Sequence, residues 1–98
     1  MTISKETNDK SVKLILEGKL DTVTAPDLEK EIDACEGCVE NLTLDLEKID
    51  YVSSAGLRVI LKAQKMMNKQ GSMTITNVCD DVMEIFDITG FVDILTIE

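Results

Sequence analysis

The sequence predicts a small α/β protein with a mixed sheet of four to five strands and helices packed mainly on one face. Three observations support this fold class. The chain has 98 residues, which is enough for a single domain over residues 1–98 but not for a second core. Hydrophobic residues make up 44% and aromatic residues only 3%, so the core should be aliphatic. Alternating apolar segments and segments of helical spacing follow one another in the order β-β-α-β-α-β-α-β.

The chain begins with two predicted strands. Met1 to Lys10 predicts a weak edge strand. Ser11 to Leu20 predicts a strand with one buried face, because the apolar residues Val12, Leu14 and Leu16 alternate with the residues between them.

A short amphipathic helix is predicted next. Thr24 is the expected N-cap, Asp27 occupies the reciprocal capping position, and Pro26 lies in the first turn. Gly37 is the expected stop. The buried face is formed by residues at i, i+4 and i+7, namely Leu28, Ile32 and Cys35.

A second strand-and-helix pair occupies the middle of the chain. The strand contains alternating leucines at 42, 44 and 46 and continues through Ile49 and Val52. The helix extends from Ala55 to Lys69 and follows Ser53 and Ser54. Its predicted buried face consists of Leu57, Ile60, Leu61 and Met67.

The remaining segments are shorter. A third inner strand contains Met73 and Ile75 and extends at most to Val78. Asp80 and Asp81 are expected to cap a helix that ends at Thr89-Gly90, with Val82, Ile85 and Phe86 on its buried face. A final extended segment is predicted from Val92 to Ile97.

Charge excludes several classes of function. Asp and Glu number 19 against 10 Lys and Arg, which gives a net charge of −9. Such a surface repels nucleic acid and anionic lipid, so neither is an expected partner. No basic-then-apolar leader follows Met1 and no apolar run is long enough to span a membrane, so we expect a cytoplasmic protein. Histidine is absent, which removes the commonest general base and argues against an enzyme.

Three cysteines give no clear cofactor site. Cys35 and Cys38 form a CxxC pair at a helix end, whereas a redox pair needs its first thiol at a helix N-terminus. With Cys79 and no histidine, a zinc site would need a carboxylate as its fourth ligand. We therefore expect buried or half-buried thiols, no metal and no cofactor, with a labile Cys35–Cys38 bridge as the alternative.

The most informative segment is Ser53-Ser54-Ala55-Gly56-Leu57, at a predicted strand-to-helix junction. One hydroxyl can be explained as an ordinary N-cap. Two hydroxyls followed by small residues exceed what a cap requires, and a helix N-terminus favours an anion. The segment can therefore also accommodate a phosphoserine without loss of the fold.

These residues resemble the STAS domains, and among them the bacterial anti-anti-sigma factors, or anti-sigma factor antagonists. The first similar segment is Gly18-Lys19-Leu20-Asp21 with Thr24-Ala25-Pro26. The second is Ser53 to Leu57 with the aliphatic Val59-Ile60-Leu61. The resemblance covers nearly the whole chain and implies the STAS fold.

The resemblance implies a partner-switching cycle. The unmodified antagonist binds an anti-sigma factor that is also a serine kinase, and this frees a sigma factor. Phosphorylation of the antagonist ends binding, and a serine phosphatase restores it. The protein would then be a substrate of these enzymes rather than an enzyme, and a monomer when free.

The resemblance also assigns residues. Aligning on Gly56-Leu57 places the phosphoacceptor at Ser54. Ser53 remains a second candidate, because family members carry an acidic residue there. The implied partner-binding residues are Asp21, Thr24, Ser53, Ala55, Gly56, Leu57 and Arg58.

Several alternatives remain open. The chain could be a stand-alone STAS scaffold or transporter-associated subunit without a phospho-switch. Arg58, Lys62, Lys65 and Lys69 form a basic stripe, which is either a solvated helix face or a docking surface for an acidic partner. Asp21 either fixes a turn or contributes to binding. We expect Asp45 to be a residue on the solvent face of its strand.

Overall fold

The chain folds into four strands and three α-helices, and the computed structural model describes all residues from Met1 to Glu98. The first half contains β1 (Thr2–Asn8), β2 (Ser11–Leu20), α1 (Ala25–Cys35) and β3 (Asn41–Val52). The second half contains α2 (Ser54–Gln70), β4 (Ser72–Thr76), α3 (Asp80–Thr89) and a short 3-10 helix, Phe91–Asp93. Each predicted helix and each of the first four predicted strands is confirmed, although β4 ends two residues before Val78.

The strands form one mixed sheet in the order β1-β2-β3-β4. β1 is antiparallel to β2, whereas β2, β3 and β4 are parallel neighbours. Parallel neighbours need crossover connections, which α1 and α2 provide. The predicted final strand from Val92 to Ile97 is wrong, because this segment begins with the 3-10 helix and only Ile97 forms an isolated bridge, to Ile75. Phe91 stacks on Phe86 with ring centroids 6.5 Å apart, which holds the segment against α3.

One continuous core of 24 buried hydrophobic residues joins one face of the sheet to the helices. Along β3 its buried leucines alternate up to Leu46, and then Ile49 and Val52 follow at intervals of three. Two register shifts between β2 and β3 accommodate this spacing. Such bulges keep apolar side chains on the core side and bend the strand end. That strand end carries the serine pair.

The capping of α1 and α3 differs from the prediction. Thr24 occupies the N-cap position of α1, as predicted, but its side chain makes no capping hydrogen bond to the helix. The Thr24 hydroxyl instead donates to the Lys19 carbonyl at 2.6 Å, inside the preceding turn. Asp80 and Asp81 do not cap α3, because the N-cap position belongs to Cys79 and both aspartates lie in the first turn. There their negative charges interact favourably with the positive end of the helix dipole.

Asp45 is buried rather than solvent-facing, with only 6% of its surface exposed. Its Oδ1 accepts hydrogen bonds from the Glu47 amide at 3.0 Å and from the Asn77 side chain at 3.2 Å. Lys13 lies 3.7 Å from Oδ2. Burial alone would raise the pKa of Asp45, but these hydrogen bonds and the lysine charge together lower it. Asp45 therefore links β2, the bulged part of β3 and the residue after β4.

We expect Asp45→Ala to reduce the free energy of unfolding at neutral pH by about 2 kcal/mol, because buried donors lose a charged acceptor. The ionised carboxylate stabilises the fold above the ordinary pKa of 3.8. This contribution is lost as pH falls through the lower pKa of the folded state. Urea unfolding at pH 7 and pH 3 checks both effects. Equal stability losses at the two pH values would contradict this role, and Glu47→Ala, which removes an exposed carboxylate, is the control.

The three thiols differ in how far they are exposed to solvent. Cys35 is fully buried at the end of α1, and burial raises its pKa. Cys79 is half-buried, as expected, but Cys38 is exposed, contrary to the expectation of buried or half-buried thiols. Its Sγ lies 3.2 Å from the Ala34 carbonyl, to which it donates. All three cysteines are free.

Candidate functional site

The serine pair lies at the junction of β3 and α2, and its two members have different roles. Ser53 is the N-cap of α2, with extended backbone and a side-chain oxygen that accepts from the Gly56 amide at 3.3 Å. Ser54 is the first residue of α2 and is exposed. The Ser54 hydroxyl forms no hydrogen bond with any residue of the chain. The structure thus separates a capping serine from a free, accessible one.

Close packing at Gly56 fixes the position of this junction. A Cβ atom at Gly56 would lie 2.7 Å from Leu20 Cγ, 2.9 Å from the Leu20 carbonyl oxygen and 3.1 Å from Val52 Cγ1. The same Leu20 carbonyl accepts from the Ser53 amide at 2.8 Å. Only a glycine allows the first turn of α2 to approach the end of β2 this closely.

The turn between β2 and α1 lies beside this junction and is organised by Asp21. Asp21 Oδ1 accepts from the amides of Val23 and Thr24, both at 3.0 Å. The Asp21 amide donates to the Thr24 hydroxyl at 2.9 Å, and the Asp21 carbonyl accepts from Ala25 at 2.8 Å. The hydrogen bond from the Thr24 amide is the main cause that lowers the pKa of Asp21. Asp21 therefore fixes the turn, while its contribution to binding stays a prediction.

A shallow groove of about 280 Å³ separates the first turns of α1 and α2. Arg58 lines it from α2 and forms no ion pair. Glu29 lines it from α1, but its carboxylate is already paired with Lys62 at 3.0 Å. Lys62 also binds Asp33 at 2.9 Å, and these carboxylates raise its pKa. The groove is completed by Thr22, Ala25, Pro26, Ala55 and Val59.

The predicted partner-binding residues therefore divide into two groups. Asp21, Thr24, Ser53, Ala55 and Arg58 are at least partly accessible. Gly56 and Leu57 are buried, and the Leu57 side chain belongs to the core with 8% of its surface exposed. These two residues pack beneath the surface of the site and offer little surface for direct contact.

Two exposed apolar residues near the site were not predicted. Val23, in the turn that Asp21 organises, is 83% exposed, and Tyr51, two residues before Ser53, is 46% exposed. An apolar residue inside a polar turn, and a tyrosine at a solvent-facing strand position, were the available signals. Exposed apolar side chains beside a polar site are typical of protein interfaces.

Metal and membrane features are limited in this structure. No group of three or more His, Cys, Asp or Glu side chains is arranged to hold a metal ion. None of the helices is both long and apolar enough to cross a lipid bilayer.

Comparison with known proteins shows the family. The STAS domain model matches residues 2–98. The chain belongs to the STAS domain family. It is 30% identical to the anti-sigma-B factor antagonist of Listeria monocytogenes, with 96% of this chain and 84% of the relative covered. It is 29% identical to the anti-sigma-B factor antagonist of Bacillus subtilis, with 99% of this chain and 90% of the relative covered. This STAS protein therefore belongs to the anti-sigma factor antagonists.

Solved STAS structures confirm the fold. An anti-sigma factor antagonist from Mycobacterium paratuberculosis superposes with a TM-score of 0.87 at 23% identity, covering 98% of this chain and 83% of the other. SpoIIAA in its unphosphorylated form superposes with a TM-score of 0.84 at 18% identity, covering 99% of this chain and 88% of the other. The predicted STAS architecture is therefore correct apart from the final strand.

Proposed function

We propose that this STAS protein acts by partner switching in the cytoplasm, as a single domain that is monomeric when free. In its unmodified form it binds an anti-sigma factor with serine kinase activity, and this releases a sigma factor. Phosphorylation of Ser54 ends binding, and a serine phosphatase restores it. The protein is the substrate of both enzymes and has no activity of its own.

The exposed hydroxyl of Ser54 is the observation that carries this proposal. A kinase must reach the acceptor oxygen, and Ser54 is exposed whereas Ser53 is half-buried and bound to the Gly56 amide. Phosphorylation of Ser53 would disrupt the cap of α2, which is worth about 1 kcal/mol. Modification of Ser54 leaves that cap intact.

The charge of a phosphate explains why binding would end. A phosphate adds about −1.5 to −2 charges, and the N-terminus of α2 favours negative charge. The fold therefore tolerates the modification. A partner in contact with Ser54 would have to desolvate the phosphate, which costs a few kcal/mol. Each loss of about 1.4 kcal/mol weakens the complex tenfold.

The exposed apolar residues suggest where the partner makes its main contacts. Val23 and Tyr51 flank the junction from the β2–α1 turn and from β3. Apolar and aromatic side chains of this kind are common anchors at interfaces. Together with Arg58 they would surround Ser54 with contacts that a phosphate interrupts.

A kinase assay tests the proposal. The chain is incubated with ATP and the anti-sigma factor from its own source, and intact mass is measured. We expect a gain of about 80 Da for one phosphate, which Ser54→Ala abolishes and Ser53→Ala retains. Ser53→Ala removes the cap, so circular dichroism must first show that this variant is folded.

Three other outcomes would count against the proposal. A gain that persists in Ser54→Ala but not in Ser53→Ala would place the acceptor at Ser53. Binding to the anti-sigma factor without any mass gain would indicate a scaffold without a phospho-switch. Retention by a membrane transporter, without binding to the anti-sigma factor, would indicate the transporter-associated alternative.

A further inference from the structure

Arg58 is a charged residue of the site that has no ionic partner within the unmodified chain. It lies in the groove between α1 and α2 and forms no ion pair. Glu29 is the carboxylate that lines the same groove, and Lys62 already binds it at 3.0 Å. The chain has 19 acidic residues, but none of them pairs with Arg58, and Lys62 holds the carboxylate that shares its groove.

The helix places this free cation one turn from Ser54. Ser54 is the first residue of α2 and Arg58 follows at i+4, so their Cβ atoms lie on one face about 5–6 Å apart. Both side chains are exposed, and no bulky residue intervenes in the small Ala55-Gly56 segment. A guanidinium can reach phosphate oxygens across this separation and bind two of them.

We infer that Arg58 is the intramolecular counter-ion of a phosphate on Ser54, an inference that rests on the proposed function. On phosphorylation the guanidinium turns from the groove to the phosphate. The modification then changes the surface in two ways, because it adds negative charge at Ser54 and withdraws a cation from the groove beside it. Ser53 lacks this relation to Arg58, because it precedes the helix with extended backbone and its hydroxyl oxygen accepts from the Gly56 amide.

The other charged groups around the site do not provide an equivalent partner. The neighbouring elements present carboxylates at Asp21 in the turn, Glu29 on α1 and Asp50 on β3. Lys19 lines a different groove, together with Asp50. Lys65 lies on the same helix, but 11 residues from Ser54, which is about 16 Å along the axis.

Phosphorus NMR of the phosphoprotein tests the pairing. Phosphoserine is incorporated at position 54 during translation, so that no kinase is needed. The second ionisation of the phosphate, near pH 6, is followed by titration in the wild type, Arg58→Gln, Arg58→Lys and Lys65→Gln. Because a cation favours the doubly charged phosphate, we expect Arg58→Gln to raise the midpoint by about half a pH unit.

The matched variants separate a specific pair from a general charge effect. Lys65→Gln removes the same charge and should leave the midpoint within about 0.1 pH unit of the wild type, because solvent screens the larger distance. Arg58→Lys should restore most of the wild-type value. Equal midpoints for the wild type and Arg58→Gln, or equal shifts for Arg58→Gln and Lys65→Gln, would overturn the inference.

This experiment fails separately from the proposed function. Because the phosphate is installed directly, the titration gives the same answer whether or not a kinase modifies Ser54. A chain that no kinase phosphorylates contradicts the proposed function alone, whereas an unchanged midpoint contradicts the role of Arg58 alone.

Discussion

Ser54→Asp is expected to weaken binding of the anti-sigma factor at least tenfold while the melting temperature changes by no more than a few degrees. The reason is that the two effects depend on different surroundings. Inside the protein, a carboxylate on the first residue of α2 interacts favourably with the helix dipole, by about 0.3–1 kcal/mol. At the interface, the same carboxylate must lose its water, at a cost of several kcal/mol if it remains unpaired.

Calorimetric titration with the purified anti-sigma factor measures the first effect, and thermal unfolding measures the second. Ser54→Asn is the matched control, because it has nearly the same shape without the charge and should retain affinity within about threefold. Ser53→Asp is a positional control, since aspartate is also a good N-cap. A melting temperature that falls together with affinity would show that Ser54 is primarily structural. An equal loss in Ser54→Asn would show that shape rather than charge decides binding.

Gly56→Ala is expected to lower the stability of the protein and to displace the junction that positions the site. Its Cβ would lie 2.7 Å from Leu20 Cγ and 2.9 Å from the Leu20 carbonyl oxygen. Leu20 is fully buried, so relief requires movement of the backbone. Overpacking costs about 1–3 kcal/mol, of which the better helix propensity of alanine offsets at most about 1 kcal/mol. We expect a melting temperature lower by about 5–15 °C for a protein of this size.

The same substitution should weaken binding of the anti-sigma factor about tenfold, because it displaces the turn that carries Asp21 from the first turn of α2. Gly37→Ala is the matched control. Gly37 has a φ of +79°, so alanine is strained there as well, at about 1 kcal/mol. Its amide binds Gln70 at the opposite end of α2, and binding should therefore be unaffected. Wild-type stability and affinity in Gly56→Ala would show that the two elements are not held in close contact.

Local periodicity was sufficient to predict most of the fold. The alternation of Val12, Leu14 and Leu16 and the helical spacing of Leu28 and Ile32 each reflect one buried face, which a single segment reveals. The bulges of β3 were also present in the sequence, as the three-residue intervals from Leu46 to Val52, but alternation alone does not identify them. The final segment was mispredicted because it is held by the contact between Phe91 and Phe86 and not by a ladder of strand hydrogen bonds.

The errors at polar residues have a common physical cause. Asp45 is buried because Lys13 and Asn77, each about 30 residues away, satisfy its oxygens, and no local pattern contains that information. The Thr24 side chain does not bond to α1 because its hydroxyl is bound to the Asp21 amide and the Lys19 carbonyl. The sequence located the strand-to-helix junction that carries both serines, whereas the exposure of Ser54 is known only from the structure. The division of roles between Ser53 and Ser54 required the hydrogen bond to Gly56.

The hydrogen bond from the Ser53 amide to the Leu20 carbonyl has a consequence for timing. It anchors the peptide just before the proposed acceptor to the interior strand β2, and we therefore expect modification of the neighbouring hydroxyl to proceed without refolding or hinge motion. A signalling circuit built on such a component would respond as fast as its two modifying enzymes turn over. The modified state would last until the phosphate ester is hydrolysed.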